Sequence, residues 1–182
     1  SPYNLMLDVA ALGETLRAGR PPWPYLQFGG LPADATGTSA QSIRLTWPAA
    51  RSSFKYDSES GLWTRSDLTD PRDFSFTNVI ALKLKVEFGS GRDAAGTPIP
   101  TLVTEGSGSG VVASGAQAFD VKWSKATPDA PWSLTYTPEA AEGETAQAQP
   151  FPVPPGRTWL ALLPKEGGSV KVTPAATASP SE

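Results

Sequence analysis

The 182-residue sequence contains no histidine and no cysteine. Without histidine the chain cannot build a Ser-His-Asp or Cys-His catalytic group, and it also lacks the usual zinc ligands. Without cysteine it has no disulfide bonds and no thiolate nucleophile. An enzyme made from this chain would depend on carboxylates, lysine, tyrosine or a carboxylate-bound cation. We therefore expect a noncatalytic protein with no cofactor and no metal.

Charge is scarce and slightly acidic. The 15 Lys and Arg residues stand against 18 Asp and Glu residues, which gives a formal net charge of −3. Because a nucleic-acid-binding protein usually carries a basic excess, we expect no nucleic acid partner. No apolar run reaches the roughly 18–20 residues that span a bilayer, and the sequence shows no signal peptide.

Glycine and proline are abundant, with 17 and 19 residues. That composition favours many turns and short strands over long helices. One helix is predicted near the N-terminus, where Asp8 can cap a helical pattern that ends before Gly19. We predict a mainly β (α+β) fold, either an antiparallel sheet or sandwich or a partly open barrel, with one N-terminal helix and long Pro/Gly-rich loops. The predicted organisation is an N-terminal helix and extended segment (1–38), a β-rich domain (39–172) and a disordered tail (173–182).

Several strands are predicted from the spacing of apolar residues. Residues 78–88 alternate between apolar and charged side chains, which indicates a strand with one solvated face. Residues 158–163 are almost continuously apolar and predict a strand buried on both faces. Residues 89–100 are expected to form a glycine-rich loop. The run at 106–110 lacks the helix and lysine of a phosphate-binding loop, so we expect a tight β segment where backbone packs closely.

Residues 52–66 are predicted to form a β-hairpin with an aromatic and cationic face. If Asp57 pairs with Leu62 across a four-residue turn that ends in glycine, Tyr56 lies opposite Trp63. In that register Arg65 lies opposite Phe54 on the same face. Such a face suits sugars, peptides or carboxylate groups. The alternative is structural: the tryptophans lie in the core and Arg65 pairs with an aspartate, for which Asp57 and Asp120 are the candidates.

The polar segment after this hairpin carries Asp67, Asp70 and Asp73. Three aspartates in seven residues could bind a hard cation. Their D-x-x-D-x-x-D spacing, with Pro71 inside it, does not match a calcium-binding EF-hand loop. We therefore expect these side chains to cap the backbone of their own turns.

The order of several short motifs resembles the C-terminal domain of the YerB-like family of bacterial lipoproteins. The motifs are Tyr56-Asp57 with Gly61, Trp63 and Arg65; Asn78-Val79; Gly106-x-Gly108-x-Gly110; Trp123-Ser124-Lys125; Pro155-Gly156-Arg157-Thr158-Trp159; and Pro2-Tyr3-Asn4-Leu5. In this family a histidine often stands in place of Tyr3. The resemblance implies a two-domain protein, exported and held by a lipid anchor at the outer face of the cytoplasmic membrane. The molecular function of the family is not established.

Three functions remain open at this point. The first is a noncatalytic binding or interaction domain of the cell envelope, whose partners would be its own N-terminal domain, the cell wall or an envelope protein. Its candidate ligand-binding residues are Tyr56, Asp57, Trp63, Arg65, Arg157 and Trp159. The second is a hydrolase or transferase of cell-wall material that uses two carboxylates. The third is a structural domain that docks the other half of the protein through an apolar patch.

Overall fold

The computed structural model describes residues 24–68, 74–139 and 145–175. All regular secondary structure in those ranges is β-strand. The strands in chain order are β1 (Thr38–Ser39), β2 (Ser42–Trp47), β3 (Ala50–Asp57), β4 (Leu62–Arg65), β5 (Ser75–Phe76), β6 (Asn78–Leu84), β7 (Val86–Arg92), β8 (Pro98–Leu102), β9 (Gly106–Ser114), β10 (Gln117–Lys125), β11 (Ser133–Tyr136), β12 (Gln149–Pro150), β13 (Thr158–Pro164) and β14 (Ser169–Thr173). The predicted N-terminal helix lies outside the described residues, as do positions 176–182 of the predicted tail. No described residue belongs to a helix that could cross a membrane.

Two sheets and a separate ribbon make up the fold. The large sheet has the order β12-β11-β10-β9-β6-β13, and β1 pairs with the start of β10. Adjacent strands in this sheet are antiparallel, except for β13 and β6, which are parallel. The second sheet has the order β14-β2-β3-β4-β5 and is antiparallel throughout. The predicted mainly β architecture of antiparallel sheets is confirmed, and the sheets do not close into a barrel.

Strand β6 lies between two hydrophobic cores. Its even-numbered residues Ile80, Leu82 and Leu84 belong to the first core, which also contains Leu26 from the N-terminal extended segment. Its odd-numbered residues Val79 and Ala81 belong to the second core, between the two sheets. Successive side chains of a strand point to opposite faces, so β6 supplies both cores at once. The first core is completed by Val112, Phe119, Val121, Trp123, Trp132, Leu134, Tyr136, Phe151 and Val153, and the second by Ala40, Ile43, Leu45, Phe54, Trp63, Phe76, Ala113, Ala118, Ala161 and Leu163.

This arrangement corrects two predictions about strand burial. Residues 78–88 do not form one strand with a solvated face: β6 ends at Leu84, and within it Lys83 alone is not buried. Strand β13, predicted to be buried on both faces, is an edge strand with only its last residues and Ala161 buried. An edge strand presents unpaired backbone groups. One of them is covered, because the Trp47 indole donates a hydrogen bond of 2.8 Å to the Leu162 carbonyl.

The predicted loop at 89–100 is also corrected. Strands β7 and β8 form a two-stranded ribbon that pairs with neither sheet, with a register shift between Phe88 and Arg92. Its turn is held by Asp93, whose carboxylate accepts hydrogen bonds from the backbone amides of Ala95 and Thr97 at 2.9 and 2.8 Å. Two of the glycines that suggested a loop, Gly89 and Gly91, therefore lie within β7 at its register shift, and Gly96 lies in the turn.

The extended segment at the N-terminal end of the described chain crosses the first core. The Tyr25 carbonyl accepts from the Trp132 amide at 3.0 Å, and Gly29 donates to the Val153 carbonyl at 2.9 Å. Between these contacts, Leu26 is only 4% exposed, whereas Tyr25 and Phe28 stay about half exposed. The strands run from Thr38 to Thr173.

The glycines of β9 allow close contact with neighbouring strands, as predicted for this run. A Cβ at Gly108 would lie 2.6 Å from the Trp123 indole nitrogen and 2.8 Å from the Lys83 carbonyl oxygen. A Cβ at Gly110 would meet Leu82 at 2.7 Å. The same Trp123 indole donates a 3.0 Å hydrogen bond to the Lys83 carbonyl, so the glycine makes room for a bond between β10 and β6.

We predict that Gly108→Ala lowers the free energy of unfolding by about 1–3 kcal/mol, because the new methyl group must displace buried backbone and indole atoms. Gly89→Ala in the ribbon is the matched control, since nothing lies within 4 Å of a Cβ there. We expect that control to change the free energy of unfolding by less than about 0.5 kcal/mol. Urea unfolding measures both values, and equal effects of the two substitutions would contradict the packing argument.

Candidate functional site

The predicted hairpin is formed by β3 and β4 in the predicted register. Tyr56 pairs with Trp63, Phe54 with Arg65 and Asp57 with Leu62. Gly61 closes the turn at a φ of 70° and donates to the Asp57 carbonyl at 2.9 Å. A positive φ is costly for residues with a side chain, so the glycine at this position explains the register. The hairpin prediction is confirmed.

The aromatic face of the hairpin points into the second core. Phe54 and Trp63 are both 0% exposed. Trp159 packs on this core from β13, with its ring centroid 5.7 Å from that of Phe54 and 5.4 Å from that of Phe76. The Tyr56 and Trp63 rings lie 5.4 Å apart. Such tilted and edge-to-face pairs add about 0.5–1.5 kcal/mol each beyond the burial of their area. These rings join the second sheet to the edge of the large sheet.

Arg65 closes the edge of this aromatic cluster. Its guanidinium carbon lies 5.3 Å from the centroid of the Trp159 ring. Its Nε and Nη2 atoms donate to the two carboxylate oxygens of Asp67 at 3.1 and 3.0 Å. The hydrogen bonds from Arg65 hold the pKa of Asp67 below its ordinary value. Asp57 and Asp120 were the predicted partners of Arg65, and that prediction is wrong. Asp67, two residues further along the chain, pairs with Arg65 instead.

Two further candidate residues contact groups outside the aromatic rings. Asp57 lies at the hairpin turn, where its carboxylate accepts from the Ser60 hydroxyl at 2.6 Å and the Glu59 amide at 3.1 Å. Arg157 is exposed, and its Nη1 atom lies 3.5 Å from the Ser75 carbonyl oxygen. A ligand could not reach Trp63 without displacing the residues that bury it. The ligand-binding role of the six residues stays a prediction.

The pKa values of Asp57 and Asp67 are shifted in the direction opposite to that of an acid catalyst at neutral pH. Such a catalyst needs a raised pKa. The hydrogen bond from Ser60 lowers the pKa of Asp57, and Arg65 lowers that of Asp67. Asp70 and Asp73 lie outside the described residues. Within 24–68, 74–139 and 145–175, no group of three acidic residues could hold a metal ion.

Several residues of the family motifs have structural roles instead. Asn78, at the start of β6, is fully buried and donates to the Pro154 carbonyl at 2.8 Å and the Thr158 hydroxyl at 3.0 Å. A Cβ at Gly156 would lie 2.2 Å from the Thr77 hydroxyl oxygen. These two positions align the start of β6 with the start of β13, which sets their parallel register.

Lys125 is a further residue whose role the sequence analysis missed. Its side chain is buried at the end of β10, 3% exposed, and its ammonium group donates to the carbonyls of Thr127, Pro128 and Ala130. The same group lies 5.9 Å from the Trp132 ring centroid. Alternation along β10 could have indicated burial, because Lys125 follows Val121 and Trp123 at a spacing of two. These hydrogen bonds hold the loop that follows β10 against the end of the strand.

An open apolar groove is the surface feature best suited to a partner. Its volume is about 610 Å³, and it lies beside the ribbon and the Trp47 edge contact. We call it the docking groove, and its lining residues are Trp47, Pro48, Val86, Phe88, Pro100, Leu102, Leu162, Pro164 and Glu166. Phe88 is 66% exposed, and Ile99 on the same ribbon is 48% exposed. The groove is not evident from the sequence, because Phe88 continues the apolar alternation of residues 78–88, which predicts a buried strand face.

Comparison with known proteins supports the resemblance found in the motifs. The sequence model for the C-terminal domain of DUF3048, a protein of unknown function, matches residues 43–160. Among solved structures the chain is similar to the YerB protein from Bacillus subtilis, with a TM-score of 0.57 and 18% sequence identity. The match covers 90% of this chain and 52% of the YerB chain, so the chain spans about half the length of that protein. No match is found among curated proteins. At this identity the structural likeness shows the fold alone.

We predict that Asp67→Asn destabilises the protein in a pH-dependent way. Because the folded-state pKa of Asp67 is depressed, its stabilisation is fully present above the ordinary aspartate pKa of about 3.9 and is lost as the pH falls through the lower folded-state value. We expect the variant to lose up to about 1 kcal/mol in the free energy of unfolding at neutral pH.

The measurement is urea unfolding across the acid range, with Asp129→Asn as control, since Asp129 is exposed and has no ion pair among the described residues. The gap in the free energy of unfolding between wild type and Asp67→Asn should narrow as the pH falls. A gap that is absent at neutral pH, or constant throughout, would show that the Arg65 contact does not stabilise the hairpin.

Proposed function

Since this chain belongs to the DUF3048 C-terminal domain family, we propose that it is a noncatalytic interaction domain of an exported, lipid-anchored cell-envelope protein. We propose further that another domain of the same polypeptide binds in its docking groove. The family resemblance supports the cellular location, and the absence of histidine and cysteine from the sequence favours binding over catalysis. The exposed apolar groove is the observation that carries the interaction role.

The ribbon supports this proposal because it is poorly stabilised by the rest of the described chain. An isolated two-stranded ribbon is only marginally stable in water. Every residue of β7 after Val86 is exposed, including Phe88. An apolar partner in the docking groove would bury this ring and tie the ribbon to the sheets. Burial of apolar surface contributes about 25 cal/mol per Å², so burial of the Phe88 ring adds to the free energy of docking.

The choice of partner rests on chain length. The chain corresponds to 52% of the YerB protein, so a protein of that length has a further half available to occupy the groove. A domain in the same polypeptide is present at a high effective concentration, so a modest apolar groove suffices to hold it. A cell-wall ligand or a separate envelope protein is the alternative occupant.

Accessibility of a single engineered cysteine tests this proposal, since this chain has no native cysteine. Any cysteine elsewhere in the complete gene product, including a lipid-bearing one, is first replaced by serine. Glu166→Cys places a thiol at the rim of the docking groove and leaves the apolar walls intact. We expect a maleimide reagent to react with it at least about tenfold more slowly in the complete gene product than in the isolated domain, which corresponds to a docked state favoured by about 1.4 kcal/mol.

Two further variants serve as controls. Glu59→Cys, in the exposed hairpin turn, should react equally fast in both proteins. Adding Phe88→Ser to Glu166→Cys should remove the difference, because it removes the most exposed apolar side chain of the groove. Equal reaction of Glu166→Cys in the isolated domain and the complete gene product would exclude docking of another domain.

A further inference from the structure

The outer face of the second sheet carries a cluster of cations. Arg44 on β2, Arg51 and Lys55 on β3, and Lys171 on β14 are all exposed. We call these four residues the basic face. Their neighbours in sequence alternate to the inner side, where they pack in the second core. The basic face shares no residue with the docking groove.

The strand register brings these four charges close together around Arg44. Lys171 is the direct cross-strand partner of Arg44. Lys55 pairs with Ser42 and Arg51 with Thr46, so both lie diagonally from Arg44. Like charges directly opposite each other destabilise a sheet, and diagonal neighbours are still only about 7–8 Å apart. The sheet therefore places three cations around a fourth at a cost to its own stability.

These charges are not neutralised by direct ion pairs within the described residues. None of the four cations is joined to a described carboxylate, since the described ion pairs are Arg65 with Asp67 and Lys85 with Glu87. Asp67 pairs with Arg65 and also accepts from the Ser53 amide at 3.0 Å. The Asp57 carboxylate accepts from the Ser60 hydroxyl within its own turn. The chain as a whole is acidic, at −3, so the cluster does not follow from a basic composition.

The remaining groups on this face are those that bind phosphate. Hydroxyl side chains occupy the positions between the cations, and these are Ser42, Thr46, Ser53, Ser169 and Thr173. Arginine binds a phosphate group through two parallel hydrogen bonds, and hydroxyls donate further ones. Strands lie about 4.8 Å apart and each residue advances about 3.4 Å, so the four cations span roughly 10 Å by 14 Å. That area exceeds a single phosphate and fits several linked ones.

The position of the aromatic residues in these strands indicates which class of polyanion fits the basic face. In the described strands β2, β3 and β14, the rings of Trp47, Phe54 and Tyr56 lie on the inner side of the sheet. Proteins that bind single-stranded nucleic acids usually stack the bases on exposed aromatic rings. The basic face offers no such ring, so it fits a polymer of phosphate groups without bases.

We propose that the basic face binds a phosphate-bearing polyanion that lacks nucleobases, with Arg44 at the centre of the site. The bound phosphates replace the repulsion between Arg44 and Lys171 with attraction to both. Because binding releases counterions, the affinity falls as the salt concentration rises.

Titration with long-chain inorganic polyphosphate at several salt concentrations tests this proposal. We expect Arg44→Gln to weaken binding by about tenfold and to reduce the salt slope by about one. Lys122→Gln is the matched control, because Lys122 is an exposed lysine on the large sheet and its substitution makes the same change in net charge. The control should bind as the wild type does. The thermal midpoint of Arg44→Gln should be unchanged or raised, since the substitution removes a like-charge pair.

Equal weakening by Arg44→Gln and Lys122→Gln would show diffuse attraction rather than a site, and would overturn the proposal. Tighter binding of single-stranded DNA than of polyphosphate would overturn the assignment to a base-free polymer. Binding to phosphatidylglycerol vesicles without binding to polyphosphate would assign the face to a membrane surface instead. Because neither substituted residue belongs to the docking groove, failure here leaves the interdomain docking proposal unaffected, and the reverse also holds.

Discussion

Burial of β6 on both faces is the constraint on which the rest of the structure depends. The strand pairs with β9 on one side and β13 on the other, and its side chains enter the first and second cores alternately. Asn78 fixes its start through hydrogen bonds to the Pro154 carbonyl and the Thr158 hydroxyl. Both bonds come from its side-chain nitrogen, whereas its side-chain carbonyl oxygen is buried without a partner among the described residues. Because each core needs β6, we expect the two cores to unfold together.

The two-core arrangement determines which surfaces remain for partners. The aromatic cluster of the hairpin and β13 is used to join the sheets, and Arg65 closes its edge with Asp67. The described residues also present the apolar docking groove beside the ribbon and the basic face on the outside of the second sheet. They differ in chemistry, since one offers apolar side chains and the other offers cations and hydroxyls. Under the two proposals made above, this domain would join a neighbouring domain to a polyanion.

Local sequence rules predicted the parts of the fold that depend on local geometry. The hairpin register followed from the turn length and from Gly61, and the close packing of the 106–110 run followed from its glycines. Burial of β6 was missed because Lys83, Lys85 and Glu87 alternate with apolar residues. The strand ends at Leu84, so two of those three charges lie outside it. Nor could a single sequence show that β13 lies at an edge, because strand order depends on contacts between distant segments.

The candidate sites show the same division. The pairing of aromatic and cationic residues on one hairpin face was predictable, but whether that face points outward depends on Trp159, which comes from almost a hundred residues further along the chain. The basic face was hidden because its charges are distributed over three strands, whereas the overall net charge is negative. Only the register places Lys171 opposite Arg44.

Native-state hydrogen exchange of the β6 amides tests the central claim most directly. If β6 holds both cores, the amides of Val79 to Lys83 exchange only through global unfolding, so their exchange free energy equals that from urea unfolding. The amides of the β7–β8 ribbon then exchange at much lower free energy through local opening. Exchange of the β6 amides well below the global value would contradict the account, because one core could then open while the other stayed folded.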